Sequence, residues 1–249
     1  MFGAIPSSAN SIIIFSVFIS SLNLSIIIPT LNEAQFIGRL LDFLLTESYN
    51  NAAKEIIVVD GGSTDKTVKI AQKYEVKVLQ AEASRAKQMN AGVAAARFDY
   101  LYFIHADTLP PANFYTHLIK AQANGFSAAC FRSRYDHQRG MMCLNSFFTR
   151  FKWLVSRGGD QSLFISKEKF LELGGFDENM AIMEEYPLFD QLIQQKTLCI
   201  MPAAITISTR KYDQNSWFQV QRANYRAYKM YKNGADSRKI KEMYESMLH

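Results

Sequence analysis

Tyr100-Leu-Tyr-Phe-Ile-His-Ala-Asp107 is the stretch that decides the fold. Four of its first five residues are aromatic or β-branched, so the run reads as a buried strand. His105 and Asp107 stand at its carboxyl end, one residue apart. The period of two along an extended chain sets both on one side. Thr108 and Pro110-Pro111 stop the strand at once. A carboxylate and an imidazole at a strand end suit a divalent cation that holds a phosphate-bearing ligand. On its own the pair reads more simply as a cap on the turn that follows.

Upstream of this stretch the same pattern recurs. Leu24 to Ile28 and Glu55 to Asp60 are short apolar runs, as expected of strands buried on both faces of a parallel sheet. Val76 to Leu79 is a third. Between them lie a predicted helix over Ala34 to Glu47, with Phe36, Ile37, Leu40, Leu41, Leu44 and Leu45 at helical spacing, and another over Lys66 to Tyr74. An Ala-rich helix over Ser84 to Ala96 leads into the strand at Tyr100. Strands alternating with helices predict βαβ units, hence an α/β fold with a mostly parallel, doubly wound sheet and helices on both faces. Such sheets bind ligands at the carboxyl ends of their strands. Thr30, Asn32 and Glu33, then Asp60 and Ser63, then His105 and Asp107 all fall there.

The second half is less regular. Phe114 to Ala123 and Lys167 to Leu173 read as helices, and Phe126 to Arg132 as a strand with an antiparallel setting as its candidate. Gly158-Gly-Asp-Gln161 turns into a strand at Ser162 to Ile165. Glu184 and Glu185 open a helix that runs to about Gln195. Trp217 to Lys232 reads as an amphipathic helix with Trp217, Phe218, Tyr225, Tyr228 and Tyr231 on one side.

The 249 residues suffice for one large domain, and 48% hydrophobic with 20% charged residues is an ordinary globular composition. Three scattered cysteines make neither a disulfide framework nor a zinc pattern, which fits a reducing, cytoplasmic compartment. The net charge is +5. After residue 204 there are nine Lys or Arg and four Asp or Glu, so the excess belongs to the tail and the body is neutral. That argues against a nucleic-acid-binding body. It allows peripheral contact of the C-terminal tail with the inner face of a membrane. Ile12 to Leu22 is apolar but shorter than the roughly 20 residues of a span, and it lacks the basic flank of a signal peptide. It reads as a short extension.

Three motifs now stand in order: Ser25-Ile-Ile-Ile-Pro-Thr-Leu-Asn-Glu33, Ile57-Val-Val-Asp-Gly-Gly-Ser-Thr-Asp65 and Phe103-Ile-His-Ala-Asp107. The set resembles the successive nucleotide-sugar motifs of family 2 glycosyltransferases. Arg85-Ala-Lys-Gln-Met-Asn-Ala-Gly92 and Gly158-Gly-Asp-Gln161 are further similar to a bacterial glycosyltransferase-like branch associated with radical-enzyme clusters. The resemblance covers Leu24 to Thr209. It divides the chain into an apolar extension (1–23), a GT-A glycosyltransferase domain (24–209) and a basic, aromatic, helical tail (210–249).

The resemblance implies a GT-A fold, a nucleotide-diphospho-sugar donor, a hydroxyl acceptor, Mn²⁺ or Mg²⁺, and inversion at the anomeric carbon. By motif, Pro29, Thr30, Asn32 and Glu33 would face the nucleoside, and Asp60, with Ser63 beside it, the base. Arg85 and Gln88 would lie near the ribose or diphosphate. Asp107 matches the metal-binding acid of the family's Asp-x-Asp motif, and His105 replaces its first acid. Glu184-Glu185 stands where the family has Glu-Asp, which aligns Glu185 with the general base. Asp160 and Gln161 would meet the acceptor or the donor sugar. Arg210 and Lys211 are within reach of the diphosphate, or else surface charge. A non-catalytic nucleotide-sugar binder and a polyprenyl-phosphate sugar transferase stay open as alternatives. A sugar-phosphate nucleotidyltransferase ranks below them, because Pro29 to Glu33 lacks the glycines and basic residue that a triphosphate loop needs.

Overall fold

The computed structural model describes residues 22–49, 52–137, 140–157 and 161–248. The expectations for the N-terminal extension up to residue 21 and for Asp160 lie outside them.

The first half follows the sequence closely. Strands β1 (Leu24–Thr30), β2 (Lys54–Asp60), β3 (Lys77–Gln80) and β4 (Tyr100–Phe103) alternate with helices α1 (Ile37–Thr46), α2 (Thr67–Ala71) and α3 (Arg85–Ala95). β1 is buried at all seven positions, and its side chains divide between two cores by the period of two. Leu24, Ile26 and Ile28 join one core with the apolar face of α1. Ile27 joins the other with Ala86, Met89 and Val93 of α3. Gly92 lets α3 lie close on the sheet: a Cβ there would come within 2.4 Å of Ile27 Cγ2.

Helix α4 (Phe114–Ala123) closes the first core. The second half adds β5 (Thr108–Leu109), β6 (Ala128–Tyr135), α5 (Met142–Phe148), a 3₁₀ turn at Leu154–Ser156, β7 (Leu163–Ser166), α6 (Lys167–Glu172), α7 (Tyr186–Gln194) and β8 (Leu198–Ile207). The eight strands lie in the order β3-β2-β1-β4-β7-β6-β8-β5. The pairings make β5 and β7 run against the other six, so the sheet is mostly parallel. β6 is antiparallel only to β7, at Ala128 and Ala129, and pairs in parallel with β8 from Ala128 to Tyr135. From β1 the chain steps outward to β2 and β3, then returns through α3 to β4 on the other side of β1. The order reverses between β1 and β4, and a crevice opens above their carboxyl ends.

The tail folds onto the body. α8 (Lys211–Gln214) leads to α9 (Trp217–Lys232) and α10 (Ser237–Ser246). Ala227 and Ile240 belong to the second core, and Tyr231 meets Tyr186 edge to face at 5.3 Å. The five tail aromatics do not share a side. Val220, Ala223 and Ala227 face inward, which leaves Phe218 and Tyr225, seven residues apart, on the opposite side and exposed. Among the described residues no helix is long and apolar enough to cross a membrane.

Candidate active site

The loop after β2 is built around Asp60, which is 1% exposed. Its Oδ2 accepts from the backbone N–H of Gly62 (2.9 Å) and Ser63 (2.8 Å). Its Oδ1 accepts from the hydroxyls of Ser63 and of Thr30, the latter at 3.2 Å. Gly62 sits at φ +95, a conformation open to glycine and costly for other residues. Asn32, at φ 57, joins this loop to the one after β1: its Oδ1 accepts from Thr64 N at 2.9 Å, and its own N–H donates to Ser63 Oγ at 2.8 Å. The Gln88 Nε2 donates to the carbonyls of Thr30 and Val59, both at 2.8 Å, and so fastens α3 across β1 and β2. Buried polar groups need such partners. Asn32, Asp60, Ser63 and Gln88 therefore hold the loops in shape.

Above these loops lies a cleft of about 840 Å³. Pro29, Thr30, Glu33, Arg85, Gln88, His105, Asp107 and Glu184 all line it, whereas Asn32, Asp60 and Ser63 are not among its walls. Arg210, arriving from the end of β8, spans it. Its guanidinium donates to both carboxylate oxygens of Glu33 at 2.8 Å, and Nη2 lies 3.1 Å from Asp107 Oδ2. The same group sits 5.1 Å from the centre of the Phe36 ring. A bidentate pair of this kind fixes orientation as well as charge. One cation thus bridges the acid of the first motif to the acid of the third.

The adjacent glutamates face different surroundings. Met183, at φ 63, turns the chain just before them. Glu184, 5% exposed, opens on the cleft with its Oε1 3.8 Å from Arg85 Nη1. Glu185, 8% exposed, lines only a small apolar pocket bounded by Met89, Phe103, Phe176 and Phe189, which Glu184 and His105 also touch. Gln161 is turned into the body, with Nε2 donating to the Ser156 carbonyl at 2.6 Å. His117 packs edge-on against Phe131, and burial lowers its pKa; it stands apart from the cleft.

Among the described residues no three His, Cys, Asp or Glu side chains cluster as a complete metal site. Asp107 and His105 offer one oxygen and one nitrogen donor on the same wall. That fits a divalent cation whose other ligands are phosphate oxygens and water. Tyr135, Tyr212, Arg238 and Tyr244, which no motif marks, complete the cleft from β6, α8 and α10.

Residues 25–151 match the family model described as glycosyl transferase family 2. Over 90 residues the chain is 32% identical to the poly(ribitol-phosphate) β-N-acetylglucosaminyltransferase TarS of Staphylococcus aureus; the match covers 33% of this chain and 16% of that one. Over 94 residues it is 35% identical to the uncharacterized glycosyltransferase YibD of Escherichia coli, covering 35% and 27%. The matches thus span well under half the length of these relatives. In fold, the chain is similar to TarS residues 1–349 in complex with UDP-GlcNAc (TM-score 0.61, 19% identity, 76% of this chain and 59% of that one). It is also similar to the mannosyltransferase PcManGT of Pyrobaculum calidifontis in complex with GDP-Man and Mn²⁺ (TM-score 0.63, 20% identity, 84% and 63%). The architecture is that of the GT-A glycosyltransferases.

Proposed function

The chain belongs to glycosyl transferase family 2, and from that premise we propose that it moves a sugar from a nucleotide-diphospho-sugar to an acceptor hydroxyl, with inversion. The observation that carries the reading is the convergence of Glu33, His105, Asp107, Glu184 and Arg210 on one cleft. The nucleoside would lie along Pro29, Thr30 and Glu33, over the floor that Asp60, Asn32, Ser63 and Gln88 brace. Asp107 and His105 would hold Mn²⁺ or Mg²⁺, which neutralises charge on the departing diphosphate when bound. Arg210 would turn from Asp107 toward the same phosphates and add a second positive charge there.

Geometry favours Glu184 over Glu185 as the base, because Glu184 opens on the cleft. The acceptor oxygen forms the new bond to the anomeric carbon as the bond to the diphosphate breaks. Its proton passes to the Glu184 carboxylate. Attack from the face opposite the leaving group inverts the centre. The segments Arg85–Gly92 and 158–161 support membership of the bacterial branch associated with radical-enzyme clusters. The free thiols of Cys130, Cys143 and Cys199 support a reducing, cytoplasmic setting.

Incubation with UDP- and GDP-sugars, with Mn²⁺, with Mg²⁺ and with chelator, tests the reading. Metal-dependent release of nucleoside diphosphate is the expected outcome. Tight donor binding without release or transfer to any acceptor would favour the non-catalytic binder. Transfer confined to polyprenyl phosphate would favour the lipid-sugar alternative.

A further inference from the structure

Six of the ten exposed large hydrophobic side chains among the described residues fall between Met141 and Val155. Phe147, Phe148, Phe151 and Trp153 form one ring cluster, with Phe151 stacked on Trp153 at 4.7 Å and Phe148 on Trp153 at 6.2 Å. Trp153 is 53% exposed. Soluble surfaces scatter their apolar groups; a contiguous patch marks an interaction site.

Within this segment the charge is of one sign. Between Asp136 and Asp160 the chain carries Arg139, Arg150, Lys152 and Arg157 and no acid. Arg157 is buried, but Arg150 is exposed, its guanidinium 4.0 Å over the Phe147 ring, and Lys152 is exposed beside Phe126. Aromatic rings interleaved with cations match the interface of an anionic bilayer, where rings sit at headgroup depth and cations meet lipid phosphates. A second copy docked on the same patch would set these cations against their like. The patch also adjoins the cleft: Asn145 of α5 lies 3.3 Å from the Tyr135 hydroxyl, and Tyr135 and Tyr212 line the cleft together, 3.1 Å apart.

We propose that residues 141–155 seat the protein on an anionic bilayer, with Phe148 and Trp153 in the interface and Arg150 and Lys152 on lipid phosphates. The basic tail is then not the anchor. Flotation of the full chain with vesicles tests this. Binding is expected to phosphatidylcholine vesicles containing phosphatidylglycerol, not to phosphatidylcholine alone, and salt should release it. The double variant Arg150→Gln/Lys152→Gln should lower partition about fivefold per charge. Phe148→Ser/Trp153→Ser should abolish it.

A Trp217→Phe protein leaves Trp153 as the sole tryptophan and the patch intact. Its emission should shift to the blue on adding the anionic vesicles. Flotation insensitive to both double variants, or no shift of the Trp153 emission, would overturn the proposal. So would a dimer in solution that the Phe148→Ser/Trp153→Ser change dissolves while vesicles bind neither form.

Discussion

The two halves of the sheet hold their strand ends in different ways. In the half made by β3, β2, β1 and β4, Glu33, His105 and Asp107 line the cleft, but the loops beneath them are braced by further polar side chains. Asp60 accepts four hydrogen bonds within its turn and to Thr30, Asn32 links two loops, and Gln88 bridges two strands. In the half made by β7, β6, β8 and β5, polar side chains reach into the cleft. Glu184, just after the turn at Met183, lines it, and Arg210 crosses to Glu33 and Asp107. The contrast separates two kinds of importance. Loss of a bracing residue should cost the fold, and loss of a reaching residue should cost the chemistry.

Replacing Glu184 gives the largest effect expected of this contrast. Glu184→Gln should lower kcat about 10³-fold, in the range of a lost general base, while Glu185→Gln stays within about tenfold. The reverse ranking, in a steady-state transfer assay, would break the assignment. On the bracing side, Asp60→Ala strands two backbone N–H groups and two hydroxyls. It should lower unfolding free energy by about 3 kcal/mol in urea titration. A stable Asp60→Ala protein with a raised donor KM would instead put Asp60 in direct contact with the base.

Arg210→Ala should leave stability nearly unchanged, since its ion pairs are partly solvated. Donor KM should rise about tenfold as one charge-assisted contact to phosphate is lost. Asp65 gives the smallest effect. The Thr67 hydroxyl holds its carboxylate below the usual range, helped by the backbone of Thr67 and Ala34. A depressed folded pKa stabilises above the unfolded value and loses that contribution as pH falls through the folded one. Melting temperature followed from about pH 6 to about pH 3 should therefore fall less steeply in Asp65→Asn than in the parent.

The same division explains what the sequence disclosed. Strands β1, β2 and β4 announce themselves by local apolar runs, and their end residues follow within a few positions. What was not legible is long-range. Arg210 meets a partner 177 residues away, and Gln88 uses its amide on two carbonyls that no motif marks. β8 carries Pro202 in its middle, a residue that argues against a strand in sequence. Glu184 and Glu185 are chemically alike, and nothing in their local sequence marks Glu184 as the one that lines the cleft. The tail aromatics misled for a related reason: spacing alone could not tell the small inward face of Val220, Ala223 and Ala227 from the ring-bearing faces beside it.

Calorimetric titration of UDP and GDP into the parent protein and Asp107→Asn, each with Mn²⁺ and with chelator, tests the shared cleft most directly. The parent should bind one nucleoside diphosphate at least tenfold more tightly with Mn²⁺. Asp107→Asn should bind it weakly and equally in both conditions. Equal affinity in all four cases would contradict a cation held at Asp107 beside the donor phosphates.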